Sequence, residues 1–119
     1  DVKENESAKY IVTISDTESF SWLDFIKKVN KNFIKPNDNL GMDKCIGNYF
    51  INPKDNVISL EEFINKAIFY LWNDVFGDEE KNDENIFDKD TFYEDFFPIE
   101  KNGQAQVEKI LEKIGFKQD

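Results

Sequence analysis

The run SLEEFINKAIFYLWNDVFG, residues 59–77, constrains the fold more than any other part of the chain. Ser59 followed by Glu62 is a capping-box pair, which satisfies backbone N–H groups at the start of a helix. Leu60, Phe63, Ile64, Ala67, Ile68, Leu71, Trp72, Val75 and Phe76 then recur at helical spacing and mark one continuous apolar face. Phe69 and Tyr70 widen that face, so the helix is expected to be enclosed on more than one side. Gly77 is the expected stop. The rest of the chain must supply the elements that cover it.

Those elements are visible. Trp22, Phe25, Ile26, Val29 and Phe33 share one face of an earlier helix, with Ser21 as N-cap and Asp24 at its third position. Lys27, Lys28 and Lys31 lie towards the other side, and PNDNLG ends the helix. KYIVTIS, residues 9–15, reads as a short strand and DTES, 16–19, as a turn. NYFI and NVIS flank NPKD and predict a small hairpin. DEEKNDEN, 78–85, reads as a solvated loop. TFYEDFF, 91–97, reads as a short helix or helical turn with Thr91 and Glu94 as its capping pair. The last helix is expected over about 104–114, with Val107, Ile110, Leu111 and Ile114 on one face and a Gly115–Phe116 Schellman ending. Residues 1–8 read as a polar, frayed lead. The sum is a mainly α fold, a small helical bundle with a short strand or hairpin element. Trp22, Phe25, Phe63, Ile68, Leu71, Trp72 and Phe76 are its expected core.

Composition narrows the chemistry. The formal net charge is −10, and all 15 basic residues are Lys, with no Arg and no His. An acidic surface repels phosphate backbones, so no direct DNA contact is expected. Without His there is no ordinary general base at neutral pH and no Ser or Cys triad. Cys45 is the single cysteine, which rules out an internal disulfide and a cysteine-built zinc site. It reads as a small buried hydrophobe beside Ile46. No apolar run reaches the length of a membrane span and no signal peptide is visible, so a cytoplasmic setting is expected. Paired acids such as Asp88/Asp90 and Glu94/Asp95 read as solvated surface. There is no phosphate-cradling G-x-x-x-x-G-K-[ST] or G-x-G-x-x-G motif.

KDNVISLEEF resembles the end of a calcium-binding EF-hand. Setting Glu62 at the last ligand position places Ile51 at the first and Pro53 at the third, neither of which offers a carboxylate. Asn56 stands where Gly is usual, and only Asp55 and Glu62 remain as ligands. A turn followed by a capped helix explains the same residues better, and no metal is expected.

MDKCIGNYFI, then ISLEEFINKAIFYLWNDVF, then IFDKDTFYEDFF, taken in order, resemble the C-terminal end of McrB-type AAA+ motor proteins. These are the nucleotide-hydrolysing subunits of modification-dependent restriction systems. The matching residues begin with Trp22, Phe25, Val29 and Asn30, where Val29 replaces the more typical Ile. They continue through Asp43, Lys44, Ile46, Gly47, Tyr49 and Phe50. The helix contributes Phe63, Asn65, Lys66, Tyr70, Leu71, Trp72, Asp74, Val75 and Phe76, and the last element Ile86, Phe87 and Phe92. The match covers about residues 20–97.

The resemblance implies a helical lid over residues 16–97, a lead-in strand over 1–15 from an upstream α/β core, and a linker with a C-terminal helix over 98–119. The chain opens on Asp1 and not on Met, so a segment of a longer protein is expected. The parent would bind GTP or ATP with magnesium through motifs on that core, and the lid alone would be non-catalytic, with no cofactor of its own. Implied partners are the upstream core, neighbouring ring subunits and a separate nuclease subunit of McrC type. Many such lids offer a sensor Arg, and this chain has none. Lys44, Gly47, Asn48 and Tyr49 are then the expected nucleotide-proximal residues, because glycine permits close backbone approach. The competing reading of the same residues is packing, with Tyr49 and Phe50 in the core and Gly47 in a turn. A different class also fits the composition: a stand-alone acidic module whose exposed aromatics dock a protein.

Overall fold

The computed structural model describes residues 6–116. Most of the polar lead and the last three residues, with the expectations for them, lie outside the described residues. Three helices and a three-stranded sheet make up the described fold. Strand β1 is Ile11–Thr13, β2 is Ser19–Ser21 and β3 is Val57–Ile58. The sheet order is β2-β1-β3. β1 pairs antiparallel with β2, with Val12 opposite Phe20, and parallel with β3, with Val12 alongside Ile58. Those three side chains are buried while Ile11, Ser19 and Val57 face out, the alternation a half-buried sheet requires. The mainly α fold with a short hairpin is therefore as expected.

The hairpin is not the one expected. NYFI does not pair with NVIS. The Phe50 N–H bonds to the Gly47 carbonyl at 3.1 Å, which curls this stretch into a turn. The observed hairpin joins β1 to SFS, which partly falls within the stretch assigned to a turn.

Helix α1 opens at Trp22–Val29, where Ser21 Oγ accepts from the Asp24 N–H at 3.2 Å. It continues through the wider turn Asn30–Ile34, where the Lys35 N–H reaches back five residues to the Asn30 carbonyl. The wide turn rotates the apolar face by one residue. Ile34 is buried in place of Phe33, which is half-buried.

Helix α2 starts at Leu60–Glu62 and runs on through the wide-turn stretches Phe63–Ile68 and Leu71–Phe76. Ser59 Oγ accepts from the Glu62 N–H at 3.1 Å. The Glu62 carboxylate does not return to the cap but pairs with Lys66 one turn on, at 3.1 Å. Gly77 is not a left-handed stop, since its φ is −57°. The Lys81 ammonium instead donates to the Gly77 carbonyl at 2.8 Å, closing the C-terminal end with a cation.

Helix α3, Gln104–Ile114, follows the wide turn Ile99–Gly103. It ends as expected. Gly115 has φ 95°, and the Phe116 N–H bonds back to the Leu111 carbonyl at 2.9 Å, the Schellman pattern. Val107, Ile110, Leu111 and Ile114 are buried. Between α2 and α3 lies the short tight turn Tyr93–Phe96. Asp95, and not Glu94, caps it by accepting from the Phe92 N–H at 2.9 Å. Thr91 is buried, with its hydroxyl facing the Lys109 ammonium at 3.5 Å.

The core gathers around the first turns of α1 and α2. Trp22, Phe25, Phe63, Ile68, Leu71 and Phe76 are all buried, and Trp72 is half-buried. The Phe63 ring meets Phe20, Trp22 and Phe25 edge-on at 5.0–6.3 Å, an arrangement the ring quadrupoles favour. The acidic stretch 78–85 is exposed along most of its length but tied down at its end. Asn85 is buried: its amide donates to the Phe76 and Glu80 carbonyls and its oxygen accepts from the Phe87 N–H at 2.8 Å. Lys113 adds hydrogen bonds to the Asn82 and Phe87 carbonyls and an ion pair with Asp88 at 3.2 Å. No helix among the described residues is long and apolar enough to cross a membrane.

Candidate functional site

Lys44, Gly47, Asn48 and Tyr49 all lie on the irregular segment 42–52 between α1 and β3. Irregular backbone packed against a core needs hydrogen-bond partners from elsewhere, and the helices supply them. From α1, Asn30 grips one residue twice. Its amide nitrogen donates to the Ile46 carbonyl at 2.9 Å, and its oxygen accepts from the Ile46 N–H at 2.8 Å. Trp22, at the start of α1, donates its indole N–H to the Asn48 carbonyl at 2.9 Å. From α2, the Tyr70 hydroxyl donates to the Lys44 carbonyl at 3.0 Å. The Tyr10 hydroxyl donates to Asn52 Oδ1 at 2.7 Å. Buried Ile46 and Ile51 anchor the segment from below. The backbone is thus held at residues 44, 46 and 48, from two helices.

Gly47 sits between two of these grips and is exposed. Among the described residues, a Cβ built on it meets nothing within 4 Å, and its φ is not in the left-handed region. No described residue requires glycine there. Gly77 is the opposite case: a Cβ would run into the Trp72 carbonyl oxygen. Gly77→Ala is therefore expected to destabilise by about 1–3 kcal/mol, the cost of overpacking. Gly47→Ala is expected to stay within about 0.5 kcal/mol of the parent. Urea midpoints of the two variants check this, and equal losses would refute the distinction.

The neighbours of Gly47 are polar or half-buried. Lys44 is half-buried, and its ammonium makes no ion pair among the described residues. Tyr49 is half-buried, donates its hydroxyl to Glu6 at 3.0 Å and meets the Tyr10 ring edge-on at 6.1 Å. Phe50 is exposed and leans on Tyr70 at 5.1 Å between ring centres, so it is not in the core. Cys45 is half-buried. This edge of the molecule offers an ammonium, backbone amides, a carboxamide and a phenol.

Candidate residues elsewhere are engaged structurally. Asp55 accepts from the Val57 N–H at 3.2 Å and Asn56 takes a left-handed turn with φ 67°, which leads the chain into β3. Among the described residues no group of three or more His, Cys, Asp or Glu side chains is placed to hold a metal ion.

Three tyrosines have hydroxyls that resist ionisation. Tyr49 is pushed up to about 12, first by desolvation, then by its hydrogen bond to Glu6 and that carboxylate's charge. Tyr70 is raised by burial first and then by the charges of Asp74 and Asp43, and Tyr93 by burial alone. A folded pKa above the unfolded value near 10 means stability that is complete below about pH 10 and lost as pH rises through the folded value. Phenolate absorbance of the folded chain is therefore expected to lag that of the urea-unfolded chain, with stability falling over about pH 10–12. Superimposable titrations would refute the shifts.

Trp22, Asn30 and Tyr70 act here as positioning groups, which spacing alone does not reveal. Each bonds the backbone of a residue distant in sequence, and only the fold brings them together. No family model matches the chain, and no curated protein and no solved structure matches it either.

Proposed function

We propose that this chain is the helical lid of a McrB-like AAA+ motor that hydrolyses GTP or ATP in modification-dependent DNA restriction, a cytoplasmic phage-defence activity. The observation that supports this reading is the segment 42–52, pinned from α1 and α2 with Gly47 left facing outward. A glycine that no described residue requires, on a backbone held in place, suits close approach by a group outside the chain. In the motor, that group is the nucleotide with its magnesium on the α/β core, or the adjoining ring subunit. Lys44, Asn48 and Tyr49 flank the approach. The lid moves as a rigid body with nucleotide state and passes that motion around the ring towards a McrC-type nuclease.

Three experiments test this. The reading frame upstream of Asp1 is expected to encode a G-x-x-x-x-G-K-[ST] motif, and a start codon beside residue 1 would overturn the proposal. In the full-length motor, Gly47→Trp is expected to lower nucleotide turnover roughly 10–100-fold through misplacement of the lid. The same substitution in the 119-residue chain is expected to leave the urea midpoint in place. Hydrolysis by the 119-residue chain that survives repurification would also refute a lid without catalytic groups.

A second reading has its own support. Phe69, Phe92 and Phe97 are exposed although the chain is acidic and rich in polar surface. A protein-docking module that binds no nucleotide would use them directly.

A further inference from the structure

Among the described residues, three of the four exposed phenylalanines form a patch around Tyr93 and Trp72, and the fourth, Phe50, leans on Tyr70. Tyr93 bridges Phe69 on α2 and Phe97 beyond the Tyr93–Phe96 turn, with ring centres 5.4 Å and 5.2 Å away. Phe92 leans on Trp72 at 6.4 Å, and Trp72 lies one helical turn after Phe69. Phe69, Phe92 and Phe97 remain 45%, 55% and 36% exposed. Fixed aromatic rings at the surface offer large contact area at little cost in side-chain entropy. Soluble domains seldom leave such rings grouped without a use.

Charge decides what covers the patch. Residues 88–97, DKDTFYEDFF, carry four acids and one Lys; Asp88 pairs with Lys113 and Asp95 accepts from the Phe92 N–H, while Asp90 and Glu94 are exposed on the same stretch as Phe92, Tyr93 and Phe97. A second copy of this chain would bring a net −10 against −10. A nucleic acid would bring phosphates against carboxylates. A basic polypeptide satisfies both parts of the surface, its cations meeting the carboxylates and its aliphatic stems and guanidinium planes lying on the rings. The chain already uses its rings in this way internally. Lys81 places its ammonium 4.9 Å from the Trp72 ring centre, and Lys28 does the same at 5.5 Å over Phe116.

We propose that the Phe69–Tyr93–Phe97 face, with Phe92, docks an arginine-bearing basic segment of another polypeptide. This goes beyond the lid reading and does not depend on nucleotide. The patch involves none of the residues flanking Gly47, so the two proposals fail separately.

The test is titration of the isotopically labelled 119-residue chain with a synthetic peptide alternating Arg and Leu, and with matched peptides carrying Lys or Glu in place of Arg. The Arg peptide is expected to shift the ring resonances of Phe69, Phe92, Tyr93 and Phe97, with affinity falling as salt is added. The Lys peptide binds more weakly and the Glu peptide not at all. Phe92→Ser with Phe97→Ser is expected to weaken the Arg peptide about tenfold or more. Glu94→Lys, which leaves every ring in place, weakens it independently of any effect on folding. Shifts spread over the whole acidic surface would overturn the proposal. So would unchanged affinity in the Phe92/Phe97 variant, or self-association through these rings in the absence of peptide.

Discussion

Phe63→Ala lowers the unfolding free energy by about 3–5 kcal/mol, the cost of removing a fully buried aromatic ring and leaving its cavity. Phe63 is completely buried and its ring touches Phe20 from β2 and both Trp22 and Phe25 from α1. Among the described residues, it is the one α2 ring that pairs with rings of both the sheet and α1. Those neighbours also touch one another, with the Phe25 ring centre 5.9 Å from Phe20 and 6.3 Å from Trp22, so Phe63 is one member of an interlocked ring cluster and its loss leaves a cavity. Against a total stability of about 5–15 kcal/mol for a domain of this size, the loss is a large share. Urea denaturation followed by tryptophan emission checks it, because Trp22 reports directly on the cavity. Phe69→Ala, six residues on but half-exposed, is expected to cost only about 1 kcal/mol, the scale of its single pairing with Tyr93. Similar losses in the two variants would show that the core is not centred on Phe63.

The parts of the fold that follow local rules are legible from the residues. Ser21 with Asp24, Ser59 ahead of Glu62, and Gly115 with Phe116 mark helix ends by bonds made within a few residues. The apolar spacing of Trp22, Phe25, Ile26 and Val29 marks the buried face directly. Departures begin where geometry depends on distant partners. The wide turn at Asn30–Ile34 exchanges Phe33 for Ile34, and no spacing rule contains it. β2 has a single apolar residue, Phe20, between two serines, too short for a period-two signal. β3 pairs in parallel with a strand some 45 residues earlier, which leaves no hairpin turn to read. Gly77 carries the composition of a left-handed cap but ends its helix through Lys81. In the candidate site, Lys44, Gly47, Asn48 and Tyr49 could be named from the irregular segment and its glycine. The residues that hold that segment could not be given their roles, because a side chain bonding a distant carbonyl leaves no periodic trace.

Asn30 is the sharpest case, and Asn30→Asp isolates its role. Asparagine suits the position because it donates from one arm and accepts on the other, matching the carbonyl and N–H of Ile46 at 2.9 Å and 2.8 Å. An aspartate keeps the acceptor but turns the donor arm into a second oxygen facing a carbonyl. At neutral pH the expected loss is about 1–3 kcal/mol, the penalty for an unmatched part-buried polar group. Protonation restores a donor, since the acid O–H can bond the Ile46 carbonyl while the other oxygen still accepts from the N–H. The introduced carboxyl is therefore raised in the folded state above its unfolded value near 3.9. Its stabilising contribution is complete below that unfolded value and is lost as pH rises through the folded one. The variant is expected to approach the parent near pH 4 and to fall behind it by pH 7. Asn30→Ala, which loses both bonds, is expected to show no such recovery. Thermal melts at the two pH values give the stability difference, and amide exchange at residues 46–49 shows whether the loss is local. An equal deficit at both pH values would mean that the two-armed bond to Ile46 is not what holds the segment. If the deficit tracks pH and exchange rises at Gly47 and Asn48, one side chain on α1 sets the position of the edge that the proposed lid presents to its core.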